Sequence, residues 1–357
     1  MKEQERPRRS IVGRGAAGNL KTRFERIEVE PDPGEADAEV PRPETVYLRD
    51  HSRSIIARNE SPDIGFDASV NPYRGCSHGC AYCYARPTHE YLGLSAGLDF
   101  ESRILVKEHA PELLRKELSS PRWEPKVLSM SGVTDPYQPV ERRLGITRRC
   151  LEVLAEFRNP VVIVTKNHLV TRDTDLLSEL ARRDAAAVAV SLTTLDDGLR
   201  RVMEPRTSRP ARRLAAIDKL AASGIPVGVM TAPVIPGLND HELPNLLFAA
   251  AEAGAIFAAY VPVRLPYAVR PLFEDWLERH YPERKEKVLG RIRSMRGGEL
   301  NDPRFGSRMK GEGFFARHIA QLFSMSCRRA GIGEGHFPRL STAAFRGDGG
   351  AQPELFD

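Results

Sequence analysis

The sequence predicts an α/β fold: a partial (β/α)6 barrel of the TIM type, with a mobile N-terminal extension and a C-terminal helical appendage. Three observations carry that reading. From Val70 to Val263, short apolar runs alternate with stretches of helical period, the pattern of repeated βα units around a parallel sheet. Before residue 60 few apolar residues recur with any period, and beyond residue 270 amphipathic helices replace the alternation. At 357 residues there is room for one large domain and an appendage. The expected divisions are an extension over 1–60, a barrel core over 61–270, a helical appendage over 271–340 and a flexible tail over 341–357.

The extension divides by charge. Met1 to Ile27 is basic, through Arg6, Arg8, Arg9, Arg14, Lys21, Arg23 and Arg26 among others, while Glu28 to Asp50 is acidic and proline-rich. Such a segment is expected to be mobile. Its basic half either contacts phosphates or is solvated and neutralised by its own acidic half. In the core, a first strand ends near Val70, Lys126 to Met130 is a second, and Val161 to Thr165 is a β-branched third. Ala187 to Leu192, Val227 to Thr231 and Ile256 to Val263 complete six. Between them, Glu108 to Leu118, Cys150 to Phe157, Asp173 to Arg183 and Arg212 to Ser223 have helical period, and Asn239 or Asp240 caps another helix. Ligands of such parallel architectures collect at the carboxyl ends of the strands.

The chain's chemistry is concentrated after the first strand, in Asn71-Pro-Tyr-Arg-Gly-Cys-Ser-His-Gly-Cys-Ala-Tyr-Cys-Tyr-Ala85. Cys76, Cys80 and Cys83 are spaced Cys-x3-Cys-x2-Cys, so one short loop can turn three thiolates toward one point, with Gly75 and Gly79 easing the bends. Three thiolates suit a soft metal centre. A four-iron cluster normally takes four cysteines; Cys150 and Cys327 are distant and helix-like, which leaves one iron without a protein ligand. The alternatives are a zinc site completed by His78 or His89, and three incidental buried cysteines.

This loop resembles that of the radical S-adenosylmethionine (radical SAM) superfamily, with Tyr82 in the aromatic position before the third cysteine. The resemblance implies a 4Fe-4S cluster on Cys76, Cys80 and Cys83, with S-adenosylmethionine chelated by the open iron. It also implies reductive cleavage of that cofactor to a 5′-deoxyadenosyl radical, with an electron donor of flavodoxin or ferredoxin type. The strand-end segments are similar to the family's cofactor contacts: Ser131, Gly132, Thr134 and Asp135 for the amino group, Lys166 for the carboxylate, and Ser191 for the ribose or carboxylate. Val234 and Gly237, after the fifth strand, resemble the adenine-side segment. Tyr82-Cys83-Tyr84 looks like the spore photoproduct lyase branch, whose relatives are described as DNA repair photolyases. There a tyrosine at the position of Tyr82 belongs to a hydrogen-atom relay, so Tyr82 and Tyr84 are the catalytic candidates; Tyr82 as the superfamily's adenine-side aromatic is the alternative. That lyase also uses a cysteine after the second strand, where this chain has Met130-Ser-Gly-Val-Thr134. The run Tyr84 to Gly93 is similar to that of a set of uncharacterised bacterial radical SAM proteins.

Leu272 to Leu277, Pro282 to Met295 and a stretch holding Phe315, Ile319, Leu322 and Phe323 are expected appendage helices. Ten Lys or Arg residues stand against four acidic ones between Arg279 and Lys310, a face able to lie along phosphates or simply to be solvated. Arg304 to Lys310 is the expected reader of a nucleic acid substrate, while Phe314 and Phe315 are expected in the core. Gln352-Pro-Glu-Leu-Phe356 resembles the peptide by which bacterial replication and repair proteins dock on the sliding clamp. No apolar run is long enough to span a membrane and the start lacks a signal-peptide core, so the expected location is cytoplasmic. The favoured substrate is a nucleic acid lesion or modified base. The alternatives are a maturase or modifier of protein or small molecule, and a non-catalytic iron–sulfur or zinc module.

Overall fold

A computed structural model describes residues 10–24, 43–335 and 337–347. The sliding-clamp-like peptide and residues 1–9 and 25–27 of the basic arm lie outside the described residues. Six strands form the central sheet: β1 (Ala68–Val70), β2 (Leu128–Met130), β3 (Val161–Thr165), β4 (Ala186–Ser191), β5 (Val227–Val234) and β6 (Phe257–Pro262). They hydrogen-bond in chain order and every neighbouring pair is parallel. The edge strand Ile56–Arg58 runs antiparallel to β1, and Gly333–Glu334 extends the other edge beside β6. These edges do not pair with each other, so the barrel is partial.

The strands are apolar on both faces because helices cover one and the barrel interior the other. All six residues of β4, at the middle of the arc, are buried. The covering helices are α1 (Ala110–Leu118), α2 (Ile146–Phe157), α3 (Thr174–Ala181), α4 (Pro210–Ala222) and α5 (Leu243–Glu252). Each places an apolar stripe inward; in α2 it is Ile146, Cys150, Leu151, Val153, Leu154 and Phe157. Cys150 is thus core, as is Cys327. Register fixes what the strands deliver. Val70 lies opposite Met130, Met130 opposite Ile163, Thr165 opposite Val190 and Ser191 opposite Met230. The segments that follow these strands therefore emerge together on one rim.

Three long helices follow the barrel, α6 (Val269–His280), α7 (Pro282–Met295) and α8 (Gly313–Ala330), with a single helical turn, Ser307–Lys310, between the last two. They are built into the molecule. Phe273, Trp276, Leu289 and Ile292 share an apolar cluster with Cys80, Ala81 and Tyr82 of the cysteine loop, and Trp276 Nε1 donates to Val202 O at 2.9 Å. Phe315 packs on the main core, but Phe314 is exposed, so the expectation of two core phenylalanines holds for one.

The first sixty residues are expected as a mobile extension; the described part of them is not set apart. Val46–Arg49 pairs with Arg103–Val106 in a second small sheet, and residues 10–24 lie against the cysteine loop. Arg14 Nη1 donates to Glu101 O at 2.7 Å, and Gly15 N and Ala16 N donate to the Glu101 carboxylate at 3.0 and 2.9 Å. Backbone donors and a single carboxylate make these bonds, and Ile11, Ala16 and Leu20 add a small apolar cluster with Leu98 and Leu272. Together they leave no apolar period for sequence reading to find.

Candidate active site

The cysteine loop is held from several sides. Cys76 N donates to Phe100 O at 2.9 Å, and Ser77 N donates to Gln138 Oε1 at 3.0 Å. Arg86, fully buried, donates through Nε and Nη2 to Cys80 O and pairs with Glu101 beneath the loop. Gly79 has φ +67°, and a Cβ on Gly15 would stand 2.0 Å from Gly79 O, so two backbones meet where only glycine fits. Cys76 and Cys80 are buried and Cys83 is partly open.

Burial pushes the thiols of Cys80 and Cys83 up, the latter to about 11, and each also feels the sulfur of Cys76. The three therefore share one locale. Among the described residues no three His, Cys, Asp or Glu side chains converge as ligands of a single ion. A four-iron cluster asks for another arrangement, with each thiolate on a different iron. The donor set fits that group: soft, close together, and carried by a loop with one side open at Cys83. His78 does not suit the zinc alternative. Its Nδ1 faces Asp135 at 3.4 Å and its Nε2 stands 3.4 Å from Asn167 Nδ2, so both ring nitrogens are turned to protein partners.

Behind the loop, five side chains make one buried network. Tyr82 OH donates to Glu204, which also pairs with Arg213 and lies 3.5 Å from Lys166 Nζ. Lys166 Nζ donates to Ser191 Oγ at 2.8 Å and to Ala232 O at 3.1 Å. Burial works against the Glu204 charge, yet Arg213 and Lys166 prevail and lower its pKa to about 2. Lys166 and Ser191 are thus brought together as expected. Glu204 and Arg213, which lock Tyr82 to them, belong to no motif that the sequence displays.

The other expected cofactor contacts fall on the same rim with differing freedom. The Ser131 hydroxyl, directly after β2, makes no side-chain hydrogen bond among the described residues and is free for a ligand. Gly132 O accepts from Tyr84 OH, and Thr134 Oγ1 donates to Tyr73 O at 3.3 Å. Asp135 is committed elsewhere. Its oxygens accept from Tyr137 N, Thr165 Oγ1 and Lys166 N at 2.9, 2.7 and 2.7 Å, and His78 Nδ1 stands 3.4 Å away. With about four acceptor positions on a carboxylate, it has none to spare for an ammonium and instead fixes His78 and the Lys166 backbone. Val234 is buried in the main core, so only its backbone can face a cofactor. At Gly237 the chain turns with φ +88° beside Arg291.

At the mouth, Arg264 follows β6 with its guanidinium 5.8 Å from the ring of Tyr84. The segment holding Phe305 and, in the helical turn Ser307–Lys310, Arg308 lies next to it: Arg308 Nε bonds Asp63 Oδ2 at 2.5 Å and its guanidinium covers Phe305 at 4.4 Å. The basic stretch between Arg279 and Lys310 is largely neutralised. Arg279, Arg284, Lys285, Arg291, Arg304 and Arg308 each meet a carboxylate, and Arg296 is buried against carbonyl oxygens.

Comparison with known proteins places this geometry. Residues 70–250 match the family model described as the radical SAM superfamily. An uncharacterised protein of Mycobacterium tuberculosis is 40% identical over 232 residues, 64% of this chain and 68% of the relative. Another uncharacterised protein, from Methanocaldococcus jannaschii, is 28% identical over 219 residues, covering 61% and 78% of the two chains. Among solved structures, spore photoproduct lyase complexed with dinucleoside spore photoproduct superposes with a TM-score of 0.59 at 16% identity, over 82% of each chain. A cysteine-to-alanine variant of that lyase, also with the dinucleoside, gives 0.58. At this identity the likeness is one of fold.

Proposed function

We propose that this chain, which belongs to the radical SAM superfamily, is an enzyme that acts on a lesion or modified base in nucleic acid. Members of the superfamily are enzymes with a 4Fe-4S cluster and S-adenosylmethionine as cofactors, and they draw on a reductant such as flavodoxin or ferredoxin. These are this protein's cofactors. When bound, the pair supplies reductive cleavage of S-adenosylmethionine to methionine and a 5′-deoxyadenosyl radical, the hydrogen-abstracting species.

The chain's own residues do the holding and the screening. Cys76, Cys80 and Cys83 take the cluster. Lys166 and Ser191 present an ammonium and a hydroxyl on the rim at the cofactor's carboxylate, and the free Ser131 hydroxyl with Gly132 meets its amino group. Val234 and Gly237 offer backbone on the adenine side. Glu204 pairs with the Lys166 side chain and holds the Tyr82 hydroxyl in place. The lyase-like assignment of Tyr82 as a relay is the weaker reading, because the side chain is buried and its hydroxyl is engaged by Glu204. Tyr84 is the better placed of the two tyrosines to touch substrate, since its ring is exposed beside Arg264.

One observation favours nucleic acid over a protein or small-molecule substrate. Exposed aromatic rings alternate with arginines around the mouth, in the order Tyr84, Arg264, Arg308, Phe305, the combination that stacks bases and attracts phosphates. The fold shared with a lyase solved with a dinucleoside photoproduct points the same way. The test is to incubate reduced, reconstituted enzyme with ultraviolet-irradiated DNA, undamaged DNA and a peptide mixture. Formation of 5′-deoxyadenosine that rises with the irradiated DNA, together with loss of a lesion, is expected; stimulation by peptides alone overturns the reading.

A further inference from the structure

Around the mouth each arginine but one has an internal acceptor for its charge. Arg308 has Asp63; Arg296 donates to the carbonyls of Val263, Ser307 and Arg308 at 3.0, 3.2 and 2.7 Å. Arg264 has neither. Among the described residues it forms no ion pair, its Nη1 reaches only the thioether of Met309 at 3.1 Å, and its Nε is buried with no partner. A thioether is a weak acceptor. Asp63, the carboxylate whose charge reaches Arg264, is already engaged by Arg308 and by Gly306 N at 2.7 Å. Burial, and then Arg308, work against the charge of Arg264 and lower its pKa. A partly buried cation without a counter-charge is costly to keep. It makes physical sense if the counter-charge arrives with a ligand.

The position narrows what that ligand is. Arg264 lies just beyond β6, on the rim that carries the cysteine loop, with the ring of Tyr84 at 5.8 Å. Tyr84 is 52% exposed and Phe305, beyond Arg308, is 62% exposed. An anion held by Arg264 is flanked by two open aromatic faces, which suit bases better than the carboxylate side chains of a peptide. We propose that Arg264 is the phosphate contact of the substrate: its unpaired guanidinium takes the backbone phosphodiester next to the nucleotide that reaches the cysteine loop, while Tyr84 and Phe305 stack the bases on either side. This rests on the nucleic acid reading above.

The test uses anaerobically reconstituted enzyme and a short fluorescent oligothymidylate, with binding measured by anisotropy over a range of salt concentrations. Wild type binds with a salt-dependent affinity. Arg264→Gln weakens binding roughly tenfold and makes the slope of log affinity against log salt shallower by about 0.7, the share of one phosphate on a single strand. Arg264→Lys recovers the slope. Melting curves of both variants separate lost contact from lost fold. If Arg264→Gln loses affinity with an unchanged slope, the arginine only packs the mouth and the proposal fails while the nucleic acid reading stands. If wild type shows no binding at low salt, the nucleic acid reading fails and takes the proposal with it. Binding of polyglutamate in place of the oligonucleotide, lost in Arg264→Gln, means that the anion is a carboxylate and also overturns the proposal.

Discussion

Glu204 shows at the level of one residue how the rim is held. Its carboxylate is fully enclosed by Tyr82, Lys166 and Arg213, so removing the charge leaves two cations without their shared counter-charge. Glu204→Gln is expected to cost about 3 kcal/mol or more, read as a lower melting temperature and weaker S-adenosylmethionine binding. The pH dependence has a definite sign. Because the folded pKa, about 2, lies below the unfolded value, the carboxylate's stabilisation is complete above about 4.3 and disappears as pH falls through 2. Acid unfolding of wild type should show this titration, and Glu204→Gln should lack it; identical acid limbs contradict the assignment. No local pattern announces Glu204. It meets Tyr82 from 122 positions away along the chain, whereas the three cysteines carry their message within eight residues of sequence.

At the level of elements, the strands and most helices are legible because burial on both faces leaves short apolar runs, and one-sided burial leaves a helical period. The third strand has the bounds the sequence predicts, and the others differ by a few positions. The segment over residues 10–24 is not legible. It is fastened by Gly15, Ala16 and Arg14 on Glu101 and by a small apolar cluster of Ile11, Ala16 and Leu20 with Leu98 and Leu272, too few and too unevenly spaced to carry a period. Its closeness to Gly79 gives it a role that no sequence pattern shows, that of covering the loop between Cys76 and Cys80. Gly15→Val must lift the segment, since the first added carbon already collides with Gly79 O. Faster bleaching of the cluster in air is expected for this variant. Gly290→Ala, a change in α7 with open space around it, serves as the control. Equal bleaching of the two contradicts a covering role.

Over the whole molecule, one rim of an open parallel barrel collects a trithiolate loop, a compensated lysine, a free serine and a mouth of rings and arginines. Parallel register brings the strand ends to a common level, and that is why residues as distant as Cys76 and Ser191 serve one site. The basic stretch of the appendage is misleading in sequence for a physical reason. Composition counts charges but not their partners, and six of those ten cations are neutralised by carboxylates, some from outside the stretch. Among the described residues no helix is long and apolar enough to cross a membrane. The central claim is that the cysteine loop carries a cluster that cleaves S-adenosylmethionine. It is tested most directly by reconstituting the chain anaerobically with iron and sulfide, counting iron, and assaying 5′-deoxyadenosine with a strong reductant in wild type and Cys80→Ala. About four irons per chain and a product that vanishes in the variant are predicted; stable zinc, or a cluster that never yields 5′-deoxyadenosine, would contradict the account.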